Sequence, residues 1–279
     1  MLSLFASSGP VVNVAPGTVF TIAGIPITNS IFYGWIALVI ICITLIWVAR
    51  RVQIKPQGGL IQFIEIGVDF MTGFIKSSFE DESIALKYVP FFVTLFFFIL
   101  LNNWLEFIPV VWGGIYSHGV PLLRPFTADL NATFAMGLVT MGVVYTASIR
   151  ESGGFLKYLR HFFVGSPKNP LFLIIGMLEM LTDLTRVISL SLRLFLNITI
   201  GAIVIAVFSY LGHFLAPITA LPFTLIEVFI DALQAYIFTV LATMYLAIAV
   251  NHSADHASDP EFIEEETKPN AKRLATNNV

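Results

Sequence analysis

The stretch LFLIIGMLEMLTDLTRVISLSLRLFLNITIGAIVIAVFSYLG, residues 171–212, is apolar for most of its length yet carries Glu179, Asp183, Arg186 and Arg193. As a helix rising 1.5 Å per residue it would be about 60 Å long, against a hydrocarbon core of about 30 Å. Residues 217–250 form a second such stretch, about 50 Å long as a helix. Helices of that length must tilt steeply, curve or extend past the bilayer.

Three shorter apolar runs precede them. Residues 31–48 stop at Arg50 and Arg51, and are long enough to cross the core. Residues 88–108 carry FFVTLFFFILL before Asn102, Asn103 and Glu106, and residues 130–149 are closed by Arg150. Between the first two, residues 59–79 place Glu65, Asp69, Thr72 and Lys76 on one face at steps of three and four. That pattern predicts an amphipathic helix lying along the interface. The expected fold class is an all-α integral membrane protein, with about five transmembrane helices plus one interfacial amphipathic helix. The last two transmembrane helices are long and steeply tilted. Residues 1–250 read as a single membrane domain and 251–279 as a polar C-terminal tail, acidic at Glu264, Glu265 and Glu266.

Composition agrees with that class. With 57% apolar and 12% charged residues and a mean hydropathy of +0.84, the chain has too little polar surface for a soluble globule. A formal charge of −3 argues against a nucleic-acid surface. Cys42, the single cysteine, makes no internal disulfide and reads as a small buried hydrophobe. Residues 1–17 lack the basic flank and the apolar length of a secretory signal. The basic residues set an orientation. Arg50, Arg51, Lys55, Lys76, Lys87, Arg150, Lys157, Arg160 and Lys168 fall on one side, and Arg124 alone on the other. The N-terminus is therefore expected outside and the C-terminal tail inside.

Charges inside spans are the informative feature, because each costs roughly 2.5 to 3.5 kcal/mol at a helix centre. On the fourth span Glu179, Thr182, Arg186, Ser189, Arg193, Asn197 and Ile200 fall within about 40° of one line at 100° per residue. On the fifth, Glu227, Asp231, Gln234 and Phe238 recur at steps of four, three and four. Two polar stripes on adjacent long helices point to one shared path. Arg193 and Gln234 lie near the midpoints of their stretches, so antiparallel packing puts them at similar depth. Glu179 and Asp183 then belong to the inner half, and Glu227 and Asp231 to the outer half. An arginine stays protonated, so it attracts a carboxylate and bars direct proton transfer: a barrier between two half-paths.

The alternative reading takes these groups as structural ion pairs between helices. Glu106 and Arg186, near helix ends, also admit snorkelling or pairing. Asn102, Asn103 and Ser191 also read as interhelical glue. His118, His161, His213, His252 and His256 show no repeating ligand spacing, so no metal site is expected. A secondary transporter with an intramembrane charged substrate site is the other functional class. It would call for an inverted repeat or paired broken helices, and neither is visible. An intramembrane hydrolase would need a nucleophile and base, and the spans offer no histidine-based set.

The segment SLSLRLFLNITIG, residues 189–201, resembles the arginine-bearing helix of subunit a of the F-type rotary ATP synthase. NNWLEFIP at 102–109, RPFTADLNAT at 124–133 and LIEVFIDALQAYIFTVL at 225–241 match in order. That resemblance implies a non-catalytic, proton-conducting stator subunit that needs no cofactor. Arg193 would face the carboxylates of a rotating ring of c subunits, with Asn197 and Gln234 beside it. Glu227 would stand in the outer half-channel and Glu179 in the inner one, with Asn103 and Glu106 as polar positions ending the second span. The partners implied are the c-ring, the peripheral-stalk b subunits, the remaining synthase subunits and membrane lipid, in an energy-transducing membrane such as the bacterial plasma membrane. The match departs at Leu196, Ile200 and Ala202, where glycine, a small residue and an ionisable residue are usual. Asp231, one turn from Glu227, is expected to take the part that Ala202 vacates.

Overall fold

A computed structural model describes residues 16–22, 24–53, 58–108, 116–117, 120–121, 123–151, 154 and 170–257. Strands β1 (Thr18–Ile22) and β2 (Ile25–Thr28) pair antiparallel and lead into helix α1 (Asn29–Arg51). Then follow α2 (Gly59–Ser78), α3 (Glu82–Leu105), the short strands β3 (Tyr116–Ser117) and β4 (Val120–Pro121), and a 3-10 turn at Phe126–Ala128. Helices α4 (Leu130–Glu151), α5 (Pro170–Gly212) and α6 (Ala216–Ala257) complete the described chain. The protein is thus all-α in its body. Among the described residues four stretches are long and apolar enough to cross a membrane: α1, α3, α4, and residues 184–251 of the α5–α6 hairpin.

Helices α1 and α3 start earlier than their apolar runs, because polar residues cap them. Thr28 accepts from the Ile31 amide at the head of α1, and Asp81 accepts from the Ser83 amide at 2.8 Å at the head of α3. A side-chain acceptor on an otherwise orphaned amide extends the helix into polar sequence. At the far end α6 continues to Ala257 rather than stopping at 250. No glycine or proline intervenes before Pro260, and proline disfavours helix at the residue before it. The β1–β2 hairpin was not anticipated. It turns at Gly24, whose φ of +84° suits glycine. Asn29 fastens it to α1, donating its amide to the Gly17 carbonyl at 2.9 Å and accepting from the Gly17 amide at 3.2 Å.

Helices α5 and α6 pack against each other, α6 also lies along α3, and α4 lies against both α5 and α6. The buried interior combines Met71 and Ile75 of α2, Phe92 and Ile99 of α3, Leu190 and Leu194 of α5, and Phe238 of α6. The amphipathic α2 places Ile61, Ile64, Met71 and Ile75 inward, and Asp69 is exposed. Close approach needs small residues: at Gly137 of α4 a Cβ would strike the Ser191 hydroxyl of α5. With 43 and 42 residues, α5 and α6 are each roughly 65 Å long, about twice the core thickness. They reverse at His213, whose φ of +44° lies in the left-handed region. The reversal is clamped by the stacked rings of Phe208 and Phe223, 3.7 Å apart, and by Thr219 Oγ1 donating to the Phe208 carbonyl at 2.9 Å. Cys42 is exposed on α1, against the expectation of burial; α1 turns one side of its apolar surface outward, with Val39, Ile43 and Ile46 beside it.

The cap at Asp81 yields a pH test. Hydrogen bonds from Ser83 hold its carboxyl below the ordinary aspartate value. A depressed folded pKa means that the cap is complete above the unfolded value of about 3.9 and is lost as pH falls through the lower folded value. The protection of the Ser83 amide, its exchange rate relative to that of an unfolded amide at the same pH, should fall over that acid range, and Asp81→Asn should remove this pH dependence while keeping the cap.

Candidate functional site

The two polar stripes turn in different directions. On α5, Val187, Leu190, Ser191, Leu194 and Ile198 are buried against the bundle, whereas Ser189, Arg193, Leu196 and Ile200 are exposed. On α6, Glu227, Asp231, Gln234 and Phe238 are all buried, Asp231 and Phe238 completely. Arg193 therefore stands on an outward, largely apolar face, and the acids of α6 stand inside.

The stripes meet at Asn197, whose Nδ2 donates to Asp231 Oδ1 at 2.9 Å. A groove of about 670 Å³ runs along α5 on one side of this bond, lined by Ser189, Arg193, Leu196 and Asn197 and by Gln234 from α6. Arg193 and Gln234 thus line one groove. Among the described residues nothing hydrogen-bonds or ion-pairs with Arg193. A smaller hollow of about 250 Å³ lies on the other side, toward the hairpin turn, lined by Asn197, Ile200, Gly201, Phe223 and Glu227. Asn197 and Ile200 belong to both.

Gly201 was not singled out from the sequence. A Cβ there would overlap the Glu227 carboxylate, so only glycine lets that acid lie against α5. Its one available signal was a small residue directly after the stripe. Glu227 is received at Gly201, directly before Ala202. Glu106, the C-cap of α3, is 1% exposed and lies within electrostatic reach of Asp231 and Glu227. Snorkelling is excluded for it. Asn103 is fully buried, with no hydrogen-bond partner for either side-chain atom among the described residues. Glu106 Oε2, Glu227 Oε1, Asp231 Oδ2 and Gln234 Nε2 are likewise buried and unpartnered among those residues. Such a cluster needs water to satisfy it. Tyr33 of α1, also unanticipated, joins it by donating its hydroxyl to the Asn102 carbonyl at 3.4 Å.

Arg186 lies over the ring of Tyr245, 4.6 Å from its centroid. The side chains of Glu179 and Asp183 lie outside the described residues, although both sit on α5. No cluster able to hold a metal occurs among the described residues.

A model of the ATP synthase A chain family matches residues 31–247, which contain every element of this site. The chain belongs to that family. Proteins named ATP synthase subunit a resemble it over most of its length. The one from Moorella thermoacetica is 30% identical, over 84% of this chain and 96% of its own. The one from Sulfurihydrogenibium sp. is 35% identical, over 69% and 82%. The one from Anaeromyxobacter dehalogenans is 32% identical over 82% of this chain, which spans 59% of that protein's length. Family membership and the four span-length stretches make this a multi-pass membrane protein of the synthase A-chain type.

The Asn197–Asp231 bond ties this ATP synthase A-chain site together and can be weighed directly. Asn197→Leu leaves a buried carboxylate oxygen without its donor, and should lower resistance to denaturant in detergent by about 1–3 kcal/mol. Adding Asp231→Leu should recover much of that loss, since replacing both partners by apolar groups is nearly neutral. A denaturation double-mutant cycle measures the coupling.

Proposed function

We propose that this chain is the proton-conducting subunit a of an F-type ATP synthase, a stator with no covalent chemistry of its own. The observation that carries the reading is Arg193, exposed near the middle of a long apolar helix and opening on a groove. A guanidinium facing lipid at that depth is costly, so its place is against another protein surface that carries an opposite charge. A rotating c-ring with a carboxylate on each subunit meets that requirement. The length of α5 and α6 supports it, since steeply tilted helices follow the wall of a ring.

In this reading protons arrive from outside through the hollow beside Glu227, with Asp231, Glu106 and Asn103 as further polar stations, and load a ring carboxylate near Asn197. The ring turns, and the carboxylate releases its proton inward along the groove past Ser189, toward Glu179 and Asp183. Arg193, permanently charged, holds the passing carboxylate ionised and prevents a proton from crossing without rotation. A membrane potential of 100 mV contributes about 2.3 kcal/mol per charge, so several charges must be combined for each ATP. The excess of Lys and Arg around the inner loops supports an N-terminus outside and a C-terminus inside. The peripheral-stalk b subunits would fix the chain against rotation, and the bacterial plasma membrane is its expected location.

Arg193→Ala should abolish proton-driven ATP synthesis in membranes that still contain the assembled complex; retained synthesis there would refute the role. Cysteines at Leu196 and Asn197 should crosslink to the c-ring. In oriented vesicles an impermeant thiol reagent should label Glu227→Cys and Asp231→Cys from outside, and Glu179→Cys and Asp183→Cys from inside. Labelling of all four from one side is incompatible with two half-channels.

A further inference from the structure

The outward face of α5 is shaped as well as charged. Leu184, Ile188, Leu192, Leu196 and Ile200 follow one another at steps of four, and each is between 38% and 55% exposed. Residues four apart on a helix form a continuous ridge, here made only of branched aliphatic side chains. Beside it, at the same spacing, runs a polar furrow of Ser189, Arg193 and Asn197. All of the ridge but Leu184, and all of the furrow, line the groove. The outward face of α1 differs, since residues 30–49 carry no charge and lipid can cover it without cost.

A ridge of this kind seats in the matching groove of a second helix at a crossing angle of about 50°. The length of α5 asks for the same angle. Its 43 residues make about 65 Å, and such a helix stays within a bilayer of about 40–45 Å, headgroups included, only when tilted by roughly 50°. The helices of a ring that rotates in the membrane run along its axis, so α5 would cross them at that tilt. Distance is the second condition. Packed helices lie about 8–10 Å apart, and small residues on one of them allow the closer approach. With leucine and isoleucine standing on the ridge, bulk on the partner would hold it away from the furrow where Arg193 lies.

We propose that the row from Leu184 to Ile200 is a steric key, fitting a ring whose outer helices carry glycine, alanine or serine opposite Leu196 and Ile200. This rests on the reading of the groove as the surface that meets the ring carboxylates, and adds the shape that such a ring must have. A ring of the right charge but with larger residues at those positions is kept from Arg193.

The experiment uses the complete synthase in vesicles, in a Cys42→Ser background. Leu196→Cys and Ile200→Cys are each modified with a short photoactivatable thiol reagent, and the ring residues captured are identified by mass. They should be glycine, alanine or serine. Replacing the residue captured from position 196 by leucine should lower ATP-driven proton pumping, normalised to assembled complex, about tenfold. Leu196→Ala in the same complex should recover most of that loss, whereas Val39→Ala on the outward face of α1 should recover none. If the ring is lost from the complex instead, recovery of assembly is read in the same way.

A bulky residue at the captured position, a harmless leucine there, no recovery with Leu196→Ala, or equal recovery with Val39→Ala overturns the steric key alone. Capture of lipid only, with no ring residue taken from either position, overturns the groove reading beneath it as well.

Discussion

Hydrocarbon does not solvate a guanidinium, and the arrangement of this protein follows from where it puts one. Arg193 is turned away from the bundle, onto a largely apolar face that it shares with Ser189, Leu192, Leu196 and Ile200. Burying it inside would have required a carboxylate partner within the chain, which would neutralise it. Outside, it is available to a charge supplied by another subunit. The acids take the opposite solution. Glu106, Glu227 and Asp231 lie inside, where apolar helices screen them from lipid and vacant hydrogen-bonding atoms leave work for water.

That division needs two long helices held in a strict register. A slide of one residue along α6 would take Asp231 from Asn197 and bring Glu227 against a side chain instead of Gly201. The hairpin turn supplies the register. Phe208 stacks on Phe223, and Thr219 closes on the Phe208 carbonyl. Further along, Trp104 Nε1 donates to the Val228 carbonyl at 3.1 Å and so ties α3 to α6 one residue from Glu227. Toward the other end the ring of Tyr245 meets Arg186. In a membrane, where apolar burial drives helix association weakly, such hydrogen bonds and close contacts at small residues carry much of the specificity.

The helices were legible because an apolar run of span length has few other uses, and because α2 keeps a 3.6-residue period. Their ends were less so. Thr28 and Asp81 draw helix into polar sequence, and the absence of a breaker carries α6 seven residues beyond its apolar run. The β1–β2 hairpin was missed because two strands of five and four residues give too short an alternation to stand out beside twenty-residue runs.

From the sequence alone came the membrane class, the two overlong helices, and the residues that share a face on each: Arg193 with Ser189 and Asn197, and Glu227 with Asp231 and Gln234. Helical period is a local property, written in the spacing of side chains along one chain segment. Which face meets which neighbour is not local. The outward turn of Arg193, the inward turn of the acids, the reception of Glu227 at Gly201, and the meeting of Arg186 with Tyr245 were decided only by how α4 and α6 pack around α5 and how α3 packs on α6. Packing depends on side chains far apart in sequence, and a single helix carries no record of them.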